Sequence, residues 1–160
     1  MKRPDDASRG AALTDLVLDL FRLNSLLLIT GDRLVADLGL TSARWQVLGA
    51  IAQADRPQPV AWLARDMGAN RQNVQRIVND LHADGIVDFA ANPHHRRAKL
   101  VILTERGRKI YDEAVGRWTP LARDLAAGLS GVEIEAAQRL MKTLRERLEG
   151  LSEDKPDALV

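Results

Sequence analysis

The segment from Val60 to Gly85 constrains the fold of this 160-residue chain more than any other. In two stretches of this segment, apolar residues recur three or four positions apart, as they do along one face of a helix. These residues are Val60, Leu63, Ala64 and Met67 in the first stretch, and Val74, Ile77, Val78 and Leu81 in the second. Gly68 and Gly85 follow the two stretches, and glycine readily adopts the left-handed conformation that ends a helix. Asn70 is a favoured cap for the second helix, so the segment predicts two helices joined by a tight turn.

Two short runs that favour β-strands follow directly, IVDFA at 86–90 and KLVIL at 99–103. Valine, isoleucine and phenylalanine are enriched in strands, and the dipeptide Asn92-Pro93 between the runs is typical of a turn. The runs therefore predict an antiparallel β-hairpin. Its tip is basic, with no acidic residue between Pro93 and Leu103, and carries His94, His95, Arg96 and Arg97.

Helical patterns flank this centre on both sides. A first helix is predicted over residues 13–38, and Thr41 and Ser42 offer caps for a second. After the hairpin, Thr104 can cap a long helix, and Ser130 with a glutamate three residues later forms a capping box for one more. The predicted order is four helices, a hairpin and two helices, which is a mainly α fold with a small antiparallel β-hairpin.

The charge of the chain is concentrated in its middle. Residues 65–109 contain nine Lys or Arg against five Asp or Glu, a net charge of +4, whereas the remainder contains 14 against 17, a net charge of −3. Recognition of a polyanion depends on such local charge rather than on the overall charge of +1. The predicted helical pair and hairpin therefore carry the basic excess.

Several classes of protein are excluded or disfavoured by composition. The chain has no cysteine, which excludes disulfides, thiolate nucleophiles and cysteine-type zinc sites. It has no Gly-x-Ser-x-Gly, no Gly-rich Lys-Ser/Thr loop and no His-Glu-x-x-His, so we predict no enzyme, no cofactor and no metal. The longest strongly apolar run, LLLI at 26–29, is too short to cross a bilayer, and aspartates interrupt any signal-peptide core near the start. The sequence therefore predicts a cytoplasmic protein with no membrane partner.

The polar face of the second helix in the 60–85 segment is suited to DNA. At about 100° per residue, Gln72, Arg76 and Asn79 lie opposite the apolar stripe. Asn and Gln can bond adenine, Arg can bond guanine, and the free N–H groups at a helix start suit a phosphate. The residues predicted to contact DNA from this helix are Asn70, Arg71, Gln72, Asn73, Gln75 and Arg76. The alternative is a merely solvated surface, because any exposed helix carries polar residues.

The basic hairpin favours the DNA interpretation. Arginine gains from the negative potential of a narrow minor groove, so a helix in the major groove with a basic wing beside it would contact adjacent grooves of one duplex. The predicted wing residues are His95, Arg96, Arg97 and Lys99. As a hypothesis, His95 makes DNA affinity fall as pH rises, because a histidinium loses its charge near neutral pH. The alternative is that His94 and His95 are exposed wing residues with no special role.

With these elements in place, residues 13–148 resemble the MarR family of winged helix-turn-helix regulators. The resemblance is carried by LTSARWQVLGAI, VAWLARDMGANRQNVQRIVNDLHADGIV, HRRAKLVILTERG and the flanking long helices. Arg76 matches the arginine of the family's recognition helix, and Arg97 matches that of its wing. His95 replaces the family's wing aspartate, which helps to hold the wing arginine, and Phe89 stands where many members have an arginine.

The resemblance also implies a division of the chain. It implies one domain over residues 1–160, with a DNA-binding lobe over 41–103 and a helical dimerisation region formed by 11–38 and 104–151. The terminal helices are more apolar than one small core requires, which fits an intertwined two-fold dimer. An entirely intramolecular bundle is the alternative.

Family members commonly repress transcription and release DNA when a small, often aromatic acid binds between the dimer helices and the DNA lobe. The resemblance therefore implies a dimeric repressor that binds an inverted repeat of double-stranded DNA. Arg22 and Trp45 are predicted to supply a carboxylate partner and an apolar wall for the effector, although a core role is the alternative for Trp45. Trp62 points away from its helix's stripe and either packs on a neighbouring loop or touches the DNA backbone. The alternative function is a ligand-independent architectural or constitutive DNA-binding protein.

Overall fold

The structure is a computed structural model that describes residues 6–95 and 97–154, with side chains up to residue 151. Arg96, one of the predicted wing residues, lies outside the described residues. The chain forms two compact units, one ending at Thr119 and the other beginning at Pro120. The secondary structure confirms the predicted mainly α fold with a small antiparallel sheet.

Six α-helices and three strands occupy the described ranges. They are α1 (Asp6–Val35), α2 (Ser42–Gln53), β1 (Gln58–Pro59), α3 (Val60–Asp66), α4 (Arg71–Ala83), β2 (Val87–Ala90), β3 (Leu100–Leu103), α5 (Glu105–Leu125) and α6 (Gly131–Asp154). The prediction of one helix over 13–38 was wrong at both ends. Helix α1 begins earlier, since the alanines and arginine before residue 13 favour helix. Its continuation, Ala36–Leu38, is a 3₁₀ turn that ends at Gly39 with a φ of 71°.

The predicted glycine stops after α3 and α4 and the predicted cap of α2 are confirmed. Gly68 and Gly85 have φ angles of +62° and +69°, the left-handed conformation that favours glycine. Thr41 caps α2, because its Oγ1 accepts a hydrogen bond from the N–H of Arg44 at 3.3 Å. Helices α3 and α4 are therefore separated by a short turn, as the sequence predicted.

The core of the first unit lies where α2, α3, α4 and the sheet meet. It is formed by the predicted apolar stripes of α3 and α4, joined by residues of α2 and the strands. Its largest fully buried side chains are Leu48, Leu63, Leu81, Ile86, Val35, Val47, Val74, Val78, Val87 and Val101. This core fixes the outer face of α4 relative to the hairpin.

The sheet has one more strand than predicted. Strand β3 lies in the centre and pairs antiparallel with β2, from Val87 opposite Leu103 to Ala90 opposite Leu100. Strand β1, which is absent from the predicted order of elements, pairs with the other edge of β3. Pro59 is tolerated there because an edge strand can spare one backbone donor. The sheet therefore anchors the hairpin from two sides.

Helix α5 starts in close contact with the core. Thr104 caps it, since its Oγ1 accepts from the N–H of Gly107 at 2.9 Å. The same hydroxyl shares its one proton between the carbonyl oxygens of Gly85, at 2.8 Å, and Ile86, at 3.1 Å, and the N–H of Thr104 donates to the Ile86 oxygen at 3.1 Å. A Cβ at position 107 would overlap this carbonyl oxygen. Only glycine lets α5 approach the Ile86 backbone so closely.

The second unit contains the end of α5 and helix α6. The predicted capping box is confirmed: the Glu133 N–H donates to the Ser130 hydroxyl at 3.2 Å, and the Ser130 N–H donates to the Glu133 carboxylate at 2.8 Å. Hydrogen bonds from the Ser130 hydroxyl and then from its backbone lower the pKa of the Glu133 carboxyl. The box satisfies backbone donors that would otherwise be unpaired at the helix start.

Both terminal helices expose large apolar side chains. On α1 they include Leu18, Phe21, Leu23, Leu26 and Ile29, and on α6 they include Val132, Ile134, Leu140, Met141 and Leu151. None of the described helices is both long and apolar enough to span a membrane.

Candidate nucleic-acid interface

The start of α4 is capped by Asn70. The side-chain oxygen of Asn70 accepts hydrogen bonds from the N–H groups of Gln72 and Asn73, at 2.9 and 3.2 Å. This confirms the predicted cap. It also occupies two of the free N–H groups at the helix start, so fewer of them are available to a phosphate than the sequence suggested.

Helix α4 has one buried and one exposed face. Its apolar stripe is at most 4% exposed, whereas Arg71, Gln72, Asn73, Arg76 and Asn79 are exposed. Gln75 is half-buried beside them. The predicted opposition of the two faces is therefore confirmed.

The exposed side chains of α4 are joined to one another along the helix. The Arg76 guanidinium donates to the Asn73 side-chain oxygen at 3.0 Å and lies 3.6 Å from the Asp80 carboxylate. The Gln75 amide donates to the Asn79 side-chain oxygen at 2.9 Å. These bonds hold the donors and acceptors on one surface, and DNA bases would have to replace some of them.

The tip of the hairpin is held by Asn92, a role that sequence reasoning missed. The Asn92 amide donates to the carbonyl oxygen of Ala98 at 2.8 Å, and its side-chain oxygen accepts from the N–H of His94 at 3.0 Å. Two backbone bonds, from His95 to Asn92 and from Ala98 to His95, close the same turn. The family's wing aspartate is absent here, and these bonds order the turn by another route. The Asn-Pro dipeptide signalled a turn but not these partners.

Four of the predicted DNA contacts lie around one cleft between α4 and the hairpin. This α4–wing cleft has a volume of about 330 Å³, and its lining includes Arg71, Gln75, Phe89, Arg97 and Lys99. Lys99 lies over the ring of Phe89, with its ammonium nitrogen 5.9 Å from the ring centroid. The face of the Phe89 ring thus contacts one of the predicted wing cations.

His95 and Arg97 are exposed on the hairpin, and Arg97 reaches the α4–wing cleft. His95 lies on another cleft of the hairpin, with His94 and Pro93. Together, the described residues of α4 and the hairpin present cations and amides on one lobe.

Trp45 lines a separate cavity of about 680 Å³ between α1, α2 and the first part of α5. We call it the two-tryptophan cavity, because Trp118 packs edge to face against Trp45 with ring centroids 6.1 Å apart. Its polar groups are neutral among the described lining residues; for example, the Gln53 amide donates to the Tyr111 hydroxyl at 3.0 Å. Sequence reasoning missed Trp118 and Tyr111, which lie far from Trp45 in the chain.

Arg22 does not line this cavity. Its guanidinium pairs with Asp19 at 2.8 Å, and its side chain is 75% exposed. Asn24, Leu27, Leu28 and Gly31 are the lining residues of α1. Arg22 precedes Asn24 by two positions, about 200° around the helix, and therefore faces away from them.

Arg117 ties the wall of the cavity to the end of α1. It donates to the carboxylate of Asp37 at 2.9 Å and to the carbonyl oxygen of Leu34 at 3.1 Å. The hydrogen bond from Arg117 lowers the pKa of the Asp37 carboxyl. A bond from Arg117 to Glu113 completes the network, which orients α5 next to Trp118.

The part of the chain that the structure describes holds no group of three or more His, Asp or Glu side chains that could bind a metal. His82 lies away from the other two histidines, where its Nδ1 contacts the carbonyl oxygen of Val87 at 3.1 Å. It packs edge to face on Phe89, with ring centroids 4.9 Å apart.

Helix α3, the turn, helix α4 and the anchored basic hairpin together define a winged helix-turn-helix protein, a class whose fold binds DNA. The family model described as MarR family matches residues 38–98. An uncharacterized protein of Mycobacterium tuberculosis is 36% identical over 141 residues, which are 88% of this chain and 95% of that protein. The transcriptional activatory protein BadR of Rhodopseudomonas palustris is 33% identical over 58% of this chain and 54% of its own.

Solved structures of MarR-type regulators share the fold. CouR from Rhodococcus jostii, bound to p-coumaroyl-CoA, has a TM-score of 0.73 and 22% identity over 81% of this chain and 91% of its own. The M. tuberculosis regulator MOSR, in complex with DNA, has a TM-score of 0.71 and 23% identity over 84% of this chain and 96% of its own. The chain belongs to the MarR family of transcriptional regulators, which are non-enzymatic DNA-binding proteins.

Proposed function

We propose that this chain is a homodimeric, sequence-specific transcriptional repressor that leaves its DNA when a small effector binds. The observation that carries the proposal is the α4–wing cleft, where Arg71, Gln75, Arg97 and Lys99 meet although they come from two separate elements. Cations and amides placed together on one face fit a surface that reads bases and phosphates at once.

In the proposed complex, α4 enters the major groove and the hairpin enters the adjacent minor groove. Arg71, Gln72, Asn73, Gln75 and Arg76 contact bases or phosphates, and Asn70 supports the helix start near the backbone. The wing contacts come from His95, Arg96, Arg97 and Lys99. The proposal follows from the exposure of the described members of this set other than the half-buried Gln75, and from the groove chemistry of Arg, Asn and Gln.

Substitution of Arg76 tests this arrangement. Arg76→Gln is expected to weaken binding to the specific duplex by about 1–3 kcal/mol and to relax base preference if the guanidinium reads a base. Lys109→Gln is the matched control, because it removes one exposed positive charge from α5 instead. Affinities for the DNA next to the protein's own gene and for a scrambled duplex can be compared by fluorescence anisotropy. Equal losses on both duplexes would make Arg76 a phosphate contact only, and no loss would contradict the interface.

The exposed apolar surfaces of α1 and α6 support the proposed dimer. We assign dimerisation to residues 11–38 and 104–151, DNA binding to 41–103 and a single MarR-like domain to 1–160. Two recognition helices of a symmetric dimer would read half-sites about 34 Å apart, so an inverted repeat is the proposed operator. Light scattering of the purified protein should give twice the 17.7 kDa chain mass. Leu26→Glu on α1 should shift the protein towards monomer, and a monomeric wild type would contradict the assignment.

The two-tryptophan cavity is the proposed effector site. Its volume lies in the range of small-molecule sites, and its aromatic walls suit an aromatic ligand. CouR, a structural neighbour bound to p-coumaroyl-CoA, supports a small-molecule effector in this fold. The proposal assigns no ligand contact to Arg22, since that side chain faces away.

Release of DNA by candidate effectors tests this assignment. Aromatic acids and their neutral methyl esters can be screened as pairs, and Trp45→Ala should abolish the response to an active compound. Retention of DNA in the presence of every compound would favour the alternative, a ligand-independent architectural or constitutive DNA-binding protein.

Repression in the cytoplasm completes the proposal. Because the relative BadR is named as a transcriptional activatory protein, whether this chain represses or activates needs its own test. Transcription from the promoter next to the gene should rise when the gene is deleted. A fall would make the protein an activator.

A further inference from the structure

The hairpin and α3 enclose a cleft that shares only His95 with the proposed DNA contacts. This Trp62 cleft has a volume of about 430 Å³ and is mostly apolar. Its characteristic residues are Arg56, Pro57, Trp62, Pro93, His94 and His95. Trp62 lines the cleft and is 44% exposed.

The charged groups that lie over the Trp62 ring are two guanidinium groups. The guanidinium carbons of Arg56 and Arg65 each lie 5.8 Å from the centroid of the Trp62 ring. Arg65 is partly balanced by Asp66 at 3.6 Å, whereas Arg56 makes no ion pair with any described residue. His94 and His95 lie on the hairpin side, and no acidic side chain is among the described lining residues.

Both walls of the cleft are held in place. On one side, β1 pairs with β3 and leads directly into α3. On the other side, Asn92 bonds to Ala98 and His94 and orders the turn of the hairpin. A ligand would therefore enter a largely preformed site, which reduces the entropy cost of binding.

We propose that the Trp62 cleft binds a planar aromatic anion, with its ring stacked on Trp62 and its charged group held by Arg56 and the wing histidines. An aromatic ring gains from offset or edge contact with indole, and a carboxylate or similar group gains from charge-assisted hydrogen bonds to guanidinium. Neither a bare phosphate nor a neutral ring would use both halves of the cleft. This site is distinct from the two-tryptophan cavity, whose described lining is neutral.

Binding in this cleft would lower DNA affinity. The ligand would contact His94 and His95 at the tip of the wing and place a negative charge beside it, which would repel the phosphates of the duplex. This consequence depends on the proposed DNA interface, whereas the binding event itself does not. The two can therefore be tested separately.

Binding is tested through the indole N–H signals of Trp45, Trp62 and Trp118 in ¹H–¹⁵N spectra of the full chain, assigned by single Trp→Phe changes. The probe is 2-naphthoate. Methyl 2-naphthoate lacks its charge, and cyclohexanecarboxylate lacks its aromatic ring. We expect 2-naphthoate to shift the Trp62 signal saturably, and each control compound to bind at least about tenfold more weakly, the effect of losing one such contact.

Variants locate the site. With affinity followed by the intrinsic fluorescence of 2-naphthoate, which does not depend on the Trp62 signal, Arg56→Gln should weaken binding about tenfold and Trp62→Ala at least as strongly, and Lys109→Gln should leave it unchanged. Shifts confined to Trp45 and Trp118, or equal affinity in Trp62→Ala, would overturn the proposal. A Trp62 signal that responds to duplex DNA but not to 2-naphthoate would overturn it as well, and would assign this surface to the DNA backbone.

The consequence for DNA has its own measurement. 2-Naphthoate should lower the DNA affinity of the wild type but not of Arg56→Gln, with both proteins at equal concentration. An unchanged wild-type affinity at a saturating probe concentration would overturn the regulatory consequence. Failure of the wild type to bind DNA at all would contradict the proposed function, while the indole spectra would still decide the ligand site.

Discussion

Gly107 permits the close approach of α5 to the winged lobe, and its replacement by alanine tests that packing. A Cβ at this position would overlap the Ile86 carbonyl oxygen and lie 3.0 Å from the carbonyl carbon. The carbonyl group cannot move away freely, because it accepts a hydrogen bond from the Thr104 N–H at 3.1 Å and shares the proton of the Thr104 hydroxyl, at 3.1 Å, with the Gly85 carbonyl oxygen at 2.8 Å. The strain must therefore be relieved by a backbone shift or by loss of these bonds.

The expected cost of Gly107→Ala follows from these contacts. Overpacking of a rigid site costs about 1–3 kcal/mol, and each weakened hydrogen bond costs about 1 kcal/mol. The better helix propensity of alanine stabilises the variant by about 1 kcal/mol. With the Thr104 N–H bond counted as the one weakened, the net loss of about 1–3 kcal/mol should lower the Tm by about 2–12 °C in a chain of this size.

Circular dichroism during heating measures this change, with all variants at one protomer concentration because association affects apparent stability. Gly116→Ala is the matched control in the same helix, since a Cβ there meets nothing within 4 Å. It should leave the Tm unchanged or raise it by about 2–3 °C through helix propensity. A Tm of Gly107→Ala equal to or above that of the wild type would refute the reasoning.

Three further predictions concern the wing and the tie to α1. Asn92→Ala removes the hydrogen bonds to Ala98 and His94 and should weaken DNA binding about tenfold, the effect of losing one to two hydrogen bonds. Equal DNA affinities of the variant and the wild type in anisotropy titrations would contradict the role of this turn. Arg97→Gln should reduce the slope of log affinity against log salt by about 0.9, and an unchanged slope would show that Arg97 contacts no phosphate. The hydrogen bond from Arg117 lowers the pKa of the Asp37 carboxyl below its ordinary value of 3.8. The pair therefore stabilises the fold fully above pH 3.8, and this stabilisation is lost as the pH falls through the lowered pKa of the folded state. In urea unfolding, the free energy of unfolding of Asp37→Asn should therefore be lower than that of the wild type near neutral pH, and the difference should shrink in acid. A difference that grows in acid would contradict the stated direction of the pKa shift.

The elements that depend on local chemistry were predictable from the sequence. The stripe of α4, the cap at Asn70 and the stops at Gly68 and Gly85 all follow from neighbours within a few positions. Each of these features uses a backbone conformation or side-chain period that the residue type itself favours. For this reason the predictions of the helix-turn-helix and the hairpin gave the right type of element and nearly the right residue bounds.

Features that depend on distant partners were not predictable. Strand β1 contains two residues and exists only because β3 offers a free edge. Trp118 and Tyr111 reach the two-tryptophan cavity because α5 packs near α2, a contact that no local pattern encodes. Asn92 could be predicted as a turn residue, but its bond to Ala98 depends on how the hairpin closes.

Arg22 is different, since the sequence did contain a signal about its direction. Leu27, Leu28 and Gly31 share one face of α1, and counting 100° per residue places Arg22 on the other face. The expectation of a carboxylate partner was drawn from the family's usual effectors rather than from this periodicity. The periodicity is the better guide to this cavity.

A hydroxyl-radical footprint of the protein on the DNA next to its own gene, with Arg97→Gln run in parallel, tests most directly whether α4 and the wing read DNA together. We predict two protected half-sites related by two-fold symmetry and about 34 Å apart, flanked by minor-groove protection that weakens in the variant. Protection that is the same on any duplex, or that Arg97→Gln leaves unaltered at the flanks, would contradict the proposal that α4 and the wing together read an inverted repeat.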